Sequence, residues 1–396
     1  MDVGVKENTV IPEGYKKTEI GIIPEDWEVK RSYELGKIIT GSTPSTKIED
    51  YWNGNISWVT PTDIINKKNI YTTERKITEK GLKTIRELPE NSILVTCIAS
   101  IGKNVILKKR GASNQQINAI IPDKKYNYEF LYYLIEFNKN YLLSKAGITA
   151  TNIISKRDFS EIAFQVPPSK KEQSAIASVL SDIDELIENL DKLIEKKKLI
   201  KQGAMQELLT GKRRLPMFSG DWEVKRIGEV LEYEQPTKYI VKNTEYNKNA
   251  SIPVLTAGKT FILGYTEEKN GVFKESPVII FDDFTTENKY VDFAFKVKSS
   301  AMKILKLKNF SCDLRFIYGK IQFIDLSLNS EHKRYWISEY QNIEINVPKL
   351  SEQQAIASVL SDMDAEIEAL EQKKDKYKQI KQGAMQVLLT GKIRLI

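Results

Sequence analysis

Few side chains in this 396-residue chain have the types and spacing that bond-breaking chemistry would need. Asp283, Glu287 and Lys289, in the stretch FDDFTTENK, loosely imitate the carboxylates and lysine of a metal-dependent nuclease. The carboxylates fall within about one turn of chain, whereas such sites draw them from separate strands. The single histidine, His332, has no cysteine or carboxylate at ligand spacing, which predicts a surface side chain. No metal site is predicted, and a nuclease is the least favoured function.

The sequence also lacks motifs for methyl transfer and nucleotide hydrolysis. The prolines in VPPSKKEQ have neither the preceding Asn or Asp nor the following aromatic residue of an adenine methylase motif, and no glycine-rich loop for S-adenosylmethionine follows a strand. No phosphate-binding GxxxxGK(S/T) loop occurs either. We therefore predict a protein that acts by binding, with no catalytic residue and no cofactor in this chain.

The composition would suit a polyanionic partner, although charge alone decides little, and it fits a reducing compartment. Lys and Arg number 60 against 53 Asp and Glu, which gives a net charge of +7. Cys97 and Cys312 are too few and too far apart for a disulfide framework or a CxxC zinc site. The chain has no apolar run of membrane-spanning length, and its first residues do not read as a secretory signal. We expect a cytoplasmic protein with no membrane partner.

Binding of DNA needs phosphate contacts from Lys, Arg, hydroxyl and backbone N–H groups, and base contacts from Arg, Lys, Asn, Gln and Thr. Four stretches in the first half of the chain offer such groups: GSTPSTK, ASIGK, NQQ and GITATN. Ordinary turns, or buried polar turn residues, would explain them equally well. The candidates are Ser42, Thr43, Ser45, Lys47, Ser100, Gly102, Lys103, Asn114, Gln115, Gln116, Thr149, Thr151 and Asn152.

The second half offers comparable groups in TAGKT, DFTTENK and HKRY, with Lys333 and Arg334 expected at phosphates rather than bases. Trp52, Trp58 and Phe284 are expected in the core rather than as stacking platforms. The candidates are Thr256, Lys259, Thr260, Tyr265, Thr285, Thr286, Lys289, Ser299, Ser300, His332, Lys333, Arg334 and Tyr335.

An internal repeat predicts the elements that position these residues. Residues 172–215 align without a gap to residues 352–395, and the alignment includes KQGAMQELLTGKRRL against KQGAMQVLLTGKIRL. A second repeated phrase, PEDWEVKR around Trp27 and SGDWEVKR around Trp222, precedes each variable region. The order is entry motif, variable region and helix, twice over.

Apolar residues in each repeat fall at heptad spacing and predict two long helices that pack together as an antiparallel coiled coil. Ser169 and Ser351 are the expected N-caps, and Gly211 and Gly391 the expected C-terminal stops. Each helix would have about 38 residues and a length of about 57 Å. The predicted seam is Ile176, Leu180, Ile183, Ile187, Leu190, Ile194, Ile356, Leu360, Met363, Ile367 and Leu370.

The variable regions mix strand-like runs with helical stretches, which predicts α+β domains. We predict a helix in YEFLYYLIEFNKNYLL and in SSAMKILKL, and strands in runs that include ISWVT, SILVTCIA, PVIIFDDF and IQFID. The second repeat ends where another entry motif would follow, and the N-terminal stretch IGIIPEDW supplies that motif. We therefore expect the chain ends to lie close together and the whole to have a circular, pseudo-two-fold arrangement. The predicted segments are 1–25 beside the C-terminus, a first domain 26–167, a helix 168–215, a second domain 216–347 and a helix 348–396.

Several stretches together resemble a known family along essentially the whole chain. They include TGSTPSTKIEDYWNGNISWVTPTDI, SNQQINAIIP, GITATNIISKRDFSEIAFQVPPSKKEQSAIASVL and VPKLSEQQAIASVL. All of them closely resemble the specificity subunit of type I restriction-modification systems. The resemblance implies two target recognition domains, each reading half of a split, asymmetric site on double-stranded DNA.

The resemblance also implies partners: two modification (methyltransferase) subunits bound along the helices, and restriction/translocase subunits that join them. S-adenosylmethionine, ATP and Mg²⁺ would then belong to those partners. By analogy with dimeric DNA readers, we expect the two domains to lie about one DNA turn apart, roughly 34 to 36 Å, each in a major groove on the same face of the duplex. The alternative is a stand-alone DNA-binding regulator with a coiled-coil scaffold.

Overall fold

The computed structural model describes residues 11–65, 67–146, 152–247, 249–256, 258, 260–324 and 335–395. The chain forms two compact units, one of Met1–Asp191 with Gln372–Ile396 and one of Lys192–Glu371. Of the predicted site residues, Thr149, Thr151, Lys259, His332, Lys333 and Arg334 lie outside the described residues.

The first unit holds twelve strands among its described residues. They are β1 (Tyr15–Thr18), β2 (Gly21–Pro24), β3 (Glu28–Arg31), β4 (Gly36–Thr40), β5 (Trp52–Val59), β6 (Asn69–Ile70), β7 (Lys76–Ile77), β8 (Ser92–Thr96), β9 (Asn104–Leu107), β10 (Gly111–Ser113), β11 (Ile117–Pro122) and β12 (Ala163–Val166). The helices are α1 (Ser32–Leu35), α2 (Glu79–Leu82), α3 (Tyr128–Phe137), α4 (Lys139–Ser144), α5 (Lys156–Glu161) and the 39-residue α6 (Lys170–Leu208), which begins in this unit.

A five-stranded sheet in the order β4-β11-β8-β9-β6 organises the first unit. Its pairs are antiparallel except for β6 with β9. A second sheet has the order β10-β5-β7, in which β10 runs parallel to β5. Strand β12 pairs with β3, and so joins the end of the variable region to its entry motif.

The second unit holds nine strands among its described residues. They are β13 (Glu223–Arg226), β14 (Leu231–Glu234), β15 (Ile252–Leu255), β16 (Ile262–Thr266), β17 (Val278–Asp282), β18 (Asn288–Val291), β19 (Lys296–Val297), β20 (Met302–Leu307) and β21 (Glu344–Val347). The helices are α7 (Ile227–Val230), α8 (Leu314–Ile321), α9 (Tyr335–Ser338) and the 39-residue α10 (Leu350–Leu388), which ends in the first unit.

The second unit repeats the topology of the first although its sequence differs. Its main sheet has the order β14-β20-β17-β18, which matches β4-β11-β8-β9 strand for strand, with all three pairs antiparallel in both. The parallel pair β15 and β19 matches β5 and β10, and the pair β13 and β21 matches β3 and β12. The predicted duplicated α+β fold is therefore confirmed.

Each long helix contributes to both globular cores. In the first unit Ile176 and Leu180, at the start of α6, pack with α3 and with Leu388 and Leu389, near the end of α10. In the second unit the matching residues Ile356 and Leu360 pack with α8, Leu208 and Leu209. Farther along the predicted seam, Leu190, Ile194 and Ile367 are buried, whereas Ile183, Ile187, Met363 and Leu370 are half-buried.

Ion pairs show that the two helices run antiparallel within each unit. In the first unit Lys381 pairs with Asp184 at 2.6 Å and Lys374 pairs with Asp191 at 2.9 Å. A lysine earlier in α10 therefore pairs with an aspartate later in α6, as it must when the helices are antiparallel. In the second unit Lys197 pairs with Glu366 at 2.6 Å, and Lys201 pairs with Asp364. The Lys201 pair is the repeat counterpart of the Lys381 pair.

An ion pair between a buried glutamate and a partly exposed arginine closes each repeat at the start of its helix. Glu172, whose side chain is 4% exposed, accepts two hydrogen bonds from Arg394, at 2.6 and 2.9 Å. Arg394 also binds Asp26 with two bonds of 2.7 Å, which brings the C-terminal segment against the first entry motif. This contact is the circular closure that the repeat predicts. The counterpart in the second unit is Arg214 with Glu352.

The glutamine after each buried glutamate has the same role in both repeats. Gln173 accepts from the backbone N–H of Asn127 at 2.9 Å and donates to the Pro167 carbonyl at 3.0 Å. Gln353 accepts from the backbone N–H of Asp313 at 2.9 Å and donates to the Pro348 carbonyl at 2.8 Å. The repeated EQ pair therefore ties the helix start to the globular part of its own unit.

The helix ends agree with the sequence at three of four positions. Ser169 precedes α6 and its hydroxyl accepts from the Glu172 N–H at 3.4 Å. Gly211 and Gly391 have φ of 74° and 69°, in the left-handed region that ends helices. The expectation for Ser351 is wrong, because α10 already begins at Leu350.

Three further local predictions are wrong. SSAMKILKL contains the central strand β20 rather than a helix, since Lys303 is buried in an ion pair with Asp283 instead of lying on a solvated helix face. IQFID is not a strand over its described residues, because Ile321 ends the helix α8, which is capped by Asp313. Phe284 was expected in the core but is 44% exposed.

Candidate nucleic-acid interface

Three of the predicted loops of the first unit leave its main sheet at one edge. Strands β4 and β8 end there and β11 begins there, because Thr40 lies opposite Asn118 and Thr96 opposite Ile117. The loop 41–47 follows β4, the hairpin 97–103 follows β8, and the turn 114–116 precedes β11. Residues far apart in sequence thus share one surface.

Hydrogen bonds join these loops to one another. The Thr43 hydroxyl donates to Gln115 Oε1 at 2.7 Å. The Cys97 N–H donates to the Gln116 carbonyl at 2.9 Å, and the Ala99 N–H to the Asn152 carbonyl at 3.1 Å. The structure therefore brings the GSTPSTK, ASIGK and NQQ stretches and Asn152 together.

The side chains at this edge differ in what they leave available. Thr43, Ser45, Lys47, Lys103, Gln115 and Asn152 are exposed, Ser42, Ser100 and Gln116 are half-buried, and Gly102 and Asn114 are buried. The Asn114 amide donates to Gln116 Oε1 at 3.0 Å and accepts from the Gln116 N–H at 3.1 Å, so it shapes the turn. Gln115 is the amide fork of the NQQ stretch that faces solvent.

Gly41 allows the first loop to approach the turn this closely. A Cβ at this position would lie 2.1 Å from the Asn114 carbonyl oxygen and 2.4 Å from the Ser113 hydroxyl. No other residue could occupy the position without moving the backbone.

Two tryptophans support the loop 41–47 from beneath. Trp58 is 3% exposed and donates its indole N–H to the Ser42 carbonyl at 3.0 Å. Trp52 is half-buried and donates to the Ser45 carbonyl at 3.1 Å. The rings meet edge to face with centroids 5.1 Å apart. The expectation that Trp58 belongs to the core is confirmed.

Sequence reasoning missed two arginines beside this loop. Arg75 stacks on both rings, with its guanidinium carbon 4.3 Å from the Trp52 centroid and 4.8 Å from the Trp58 centroid. Arg86 is exposed, donates to the Thr40 carbonyl at 2.9 Å and lines a cavity of about 630 Å³ with Lys37 and Lys156. Neither residue lies near the GSTPSTK stretch in sequence, so no local signal could have placed it there.

The corresponding edge of the second unit collects a second group. Asp282 lies opposite Met302 and Phe281 opposite Asn288, so the hairpin that carries Thr285 and Thr286 and the loop before β20 share an edge. The Lys298 N–H donates to the Leu255 carbonyl at 3.0 Å, which brings the end of β15 to this edge. Thr260, Thr285, Ser299 and Ser300 are exposed, and Thr256 and Thr286 are half-buried.

Three other candidates of the second unit differ in position. Tyr265 lies opposite Pro253, toward the start of β15 and away from this edge. Lys289 is half-buried, opposite Ile280 within the sheet. Tyr335 is 3% exposed and its N–H donates to the Asp283 carbonyl at 3.0 Å, so its ring offers little surface to a ligand.

Asp283, the carboxylate that suggested a metal site, is engaged inside the fold. One oxygen accepts from the Trp336 N–H at 2.9 Å and the other lies 3.6 Å from the Lys303 ammonium. Among the described residues, no three His, Cys, Asp or Glu side chains are grouped as a metal site would require.

Comparison with known proteins gives the two units a common identity. The family model of the type I restriction modification DNA specificity domain matches residues 24–198 and again residues 219–381. The chain belongs to this specificity-subunit family. The two matches contain the two repeated sheets and most of each long helix, so the family domain occurs twice in this specificity subunit.

Curated relatives agree with this assignment. The MjaIX specificity subunit of Methanocaldococcus jannaschii is 35% identical over 280 residues, which are 66% of this chain and 64% of the relative. The MjaVIII specificity subunit of the same organism is 28% identical over 97% of this chain and 96% of the relative. The EcoR124I/EcoR124II specificity subunit of Escherichia coli is 52% identical, but over 31% of each chain.

Solved structures support the fold. The specificity subunit of a type I restriction-modification system from M. genitalium superposes with a TM-score of 0.62 at 16% identity, and covers 91% of this chain and 96% of its own. A chain from a study of complex assembly and conformational transition of the type I system gives 0.56 at 14% identity, and covers 94% and 99%. Over the described residues, no helix of this specificity subunit has both the length and the apolar character of a membrane span.

Proposed function

We propose that this specificity subunit selects DNA for a type I restriction-modification enzyme, each unit reading one half of a bipartite, asymmetric site. The observation that carries the proposal is that the same sheet edge, on the same topology, presents different polar side chains in the two units. Exposed Thr43, Lys47 and Gln115 differ in type and order from exposed Thr285, Ser299 and Ser300. Two units that share a sheet topology but expose different side chains suit two half-sites of different sequence.

The proposed DNA contacts are the predicted candidates at these edges. The hydroxyls and the single lysine of the loop 41–47 suit phosphates, and the exposed Gln115 amide suits an adenine edge. The predicted contacts outside the described residues, including Lys333 and Arg334, remain part of the proposal. The two helices, each about 58 Å long at 1.5 Å per residue, would set the spacer between the half-sites.

We further propose that the helices bind two modification (methyltransferase) subunits, which bring in restriction/translocase subunits. An exposed apolar stripe on α6 supports this role: Val179, Leu186, Leu193 and Ile200 recur every seven residues and are 37 to 47% exposed. A heptad stripe that faces solvent is the surface that a partner helix would cover.

In this proposal the chain is not itself an enzyme. The partners would hold S-adenosylmethionine, ATP and Mg²⁺, flip the target adenine from the stack and methylate it, and all would act in the cytoplasm. This chain would only determine which DNA sequence the enzyme binds.

The proposed function is tested by single-molecule sequencing of host DNA with and without the gene. We expect one split motif, methylated on adenine in both strands, which disappears when the gene is deleted. Methylation that persists unchanged would reject the proposal.

The alternative, a stand-alone coiled-coil regulator, predicts a different purification. A specificity subunit should co-purify with two methyltransferase subunits and bind its site far more tightly with them. A chain that purifies alone and binds specific DNA at full affinity would favour the regulator.

A further inference from the structure

We propose that Arg75, which no motif of the sequence marks, reads a guanine–cytosine base pair in the half-site bound by the first unit. This inference rests on the proposed function and adds to it a named residue and a named base pair.

The exposed Arg75 side chain is held against two aromatic rings. Its guanidinium rests on the Trp52 and Trp58 rings, with centroid distances of 4.3 and 4.8 Å. Its own carbonyl accepts from the Thr73 hydroxyl at 2.6 Å and from the Trp58 N–H at 3.3 Å. A guanidinium that is already oriented loses little conformational freedom when it binds, which favours recognition of a defined atom pair over a loose charge contact.

The same rings connect Arg75 to the candidate interface. They hold the loop 41–47 through its Ser42 and Ser45 carbonyls. Thr46 of that loop lines a cavity of about 410 Å³ together with Arg75, Asn53 and Lys76. Arg75 therefore lies beside the loop whose hydroxyls and lysine suit DNA phosphates, at the end of β5 that joins the interface through the Asn114 N–H bond to Val59.

Two carboxylates beside Arg75 indicate that this arginine binds a base rather than a phosphate. Glu49 and Glu74 line the cavity with Arg75. Among the residues that the structure describes, no ion pair joins a carboxylate to the Arg75 guanidinium, so its donors are available. Carboxylates repel a phosphate, whereas they accept a hydrogen bond from the cytosine amino group.

A guanine–cytosine pair matches this set of groups in the major groove. Guanine presents the O6 and N7 acceptors that an arginine fork binds, and its partner cytosine presents the N4 donor that a glutamate accepts. Adenine and thymine present no such combination, because adenine offers a donor where guanine offers O6. Arg75 with Glu49 or Glu74 is thus complementary to both bases of one pair.

The test uses the full chain in complex with its modification subunits and a library of sites randomised in both half-sites. Arg75→Ala should bind its best site about 10 to 100 times more weakly than the wild type and lose the preference for G·C at one position of one half-site. The other half-site should keep its preference. Arg75→Gln, which leaves a planar polar group over the rings, should lose the same preference.

Two control variants separate this role from simpler ones. Arg110→Ala removes an exposed arginine of the same unit that pairs with Glu79 and, at 3.6 Å, with Glu87, and should leave base preference unchanged. Lys47→Ala, a phosphate-type contact, should weaken all sequences alike and lower the salt slope by about one. If Arg75→Ala behaves like either control, the inference is wrong.

The outcomes also separate this inference from the proposed function. A wild-type complex that selects no split site would overturn both. A wild-type complex that selects a split site, with Arg75 variants that keep every base preference, would overturn the role of Arg75 alone.

Discussion

At the scale of single residues, the repeated phrases of the sequence are explained by structural bonds rather than by chemistry. Glu172 and Glu352 are 4% and 3% exposed at the side chain and are neutralised by Arg394 and Arg214. These four residues were visible in the repeat, but their pairing was not, because each arginine follows the other copy's helix in sequence. A charge that is buried in this way depends on a partner more than 100 residues away.

Removing Arg394 should therefore destabilise the first unit. Arg394→Ala leaves the Glu172 carboxylate buried without its partner, which costs about 3 to 5 kcal/mol of unfolding free energy. The measurement is urea unfolding at pH 7. Lys80→Ala, which breaks the exposed Lys80–Asp50 pair of the same unit, is the control and should cost less than about 1 kcal/mol. Equal losses in the two variants would show that the Glu172 pair is not an important bond.

Cys97, at the interface edge, should be inert. Burial raises the pKa of its thiol to about 11, so the reactive thiolate is scarce near neutral pH. In a Cys312→Ser variant, which retains Cys97 alone, alkylation at pH 8 should be very slow in the folded protein and rapid in denaturant. Labelling of the folded protein at the unfolded rate would contradict the buried placement.

At the scale of elements, the sequence predicts what local spacing determines. The long helices could be predicted because their apolar heptads are local and copied, and α6 begins directly after its predicted cap, Ser169. Strand β20 could not, because the burial of Lys303 depends on Asp283, which directly follows strand β17. Arg75 could not be predicted as a site residue for the same reason. The tryptophan rings under its guanidinium and the loop 41–47 come together only when the chain folds.

The antiparallel pairing of the helices can be tested by charge exchange in the second unit. Asp364→Lys would place an ammonium beside Lys201, and Lys201→Asp would place a carboxylate beside Asp364. Each single variant should lower the unfolding free energy by about 0.5 to 1 kcal/mol, and the double variant should recover most of that loss. Thermal and urea unfolding of the full cycle measure the coupling. Strictly additive effects would mean that the two side chains do not interact.

At the scale of the whole molecule, duplication explains why one chain has two similar helices and two dissimilar globular parts. The helices and their EQ–Arg contacts are alike in both repeats, whereas the sheet edges differ in their exposed residues. The circular order could be predicted, because the entry motif that would follow the second helix is found near the N-terminus. In the structure Arg394, after the second helix, binds Asp26 of that motif. The bases that are read could not, because they depend on side chains gathered from distant loops.

The most direct test of the central claim is to replace residues 216–347 with the corresponding domain of another specificity subunit and to map the methylated adenines in host DNA. One domain for one half-site predicts that a single half of the motif changes while the other half remains. A change in both halves, or in neither, would contradict the claim.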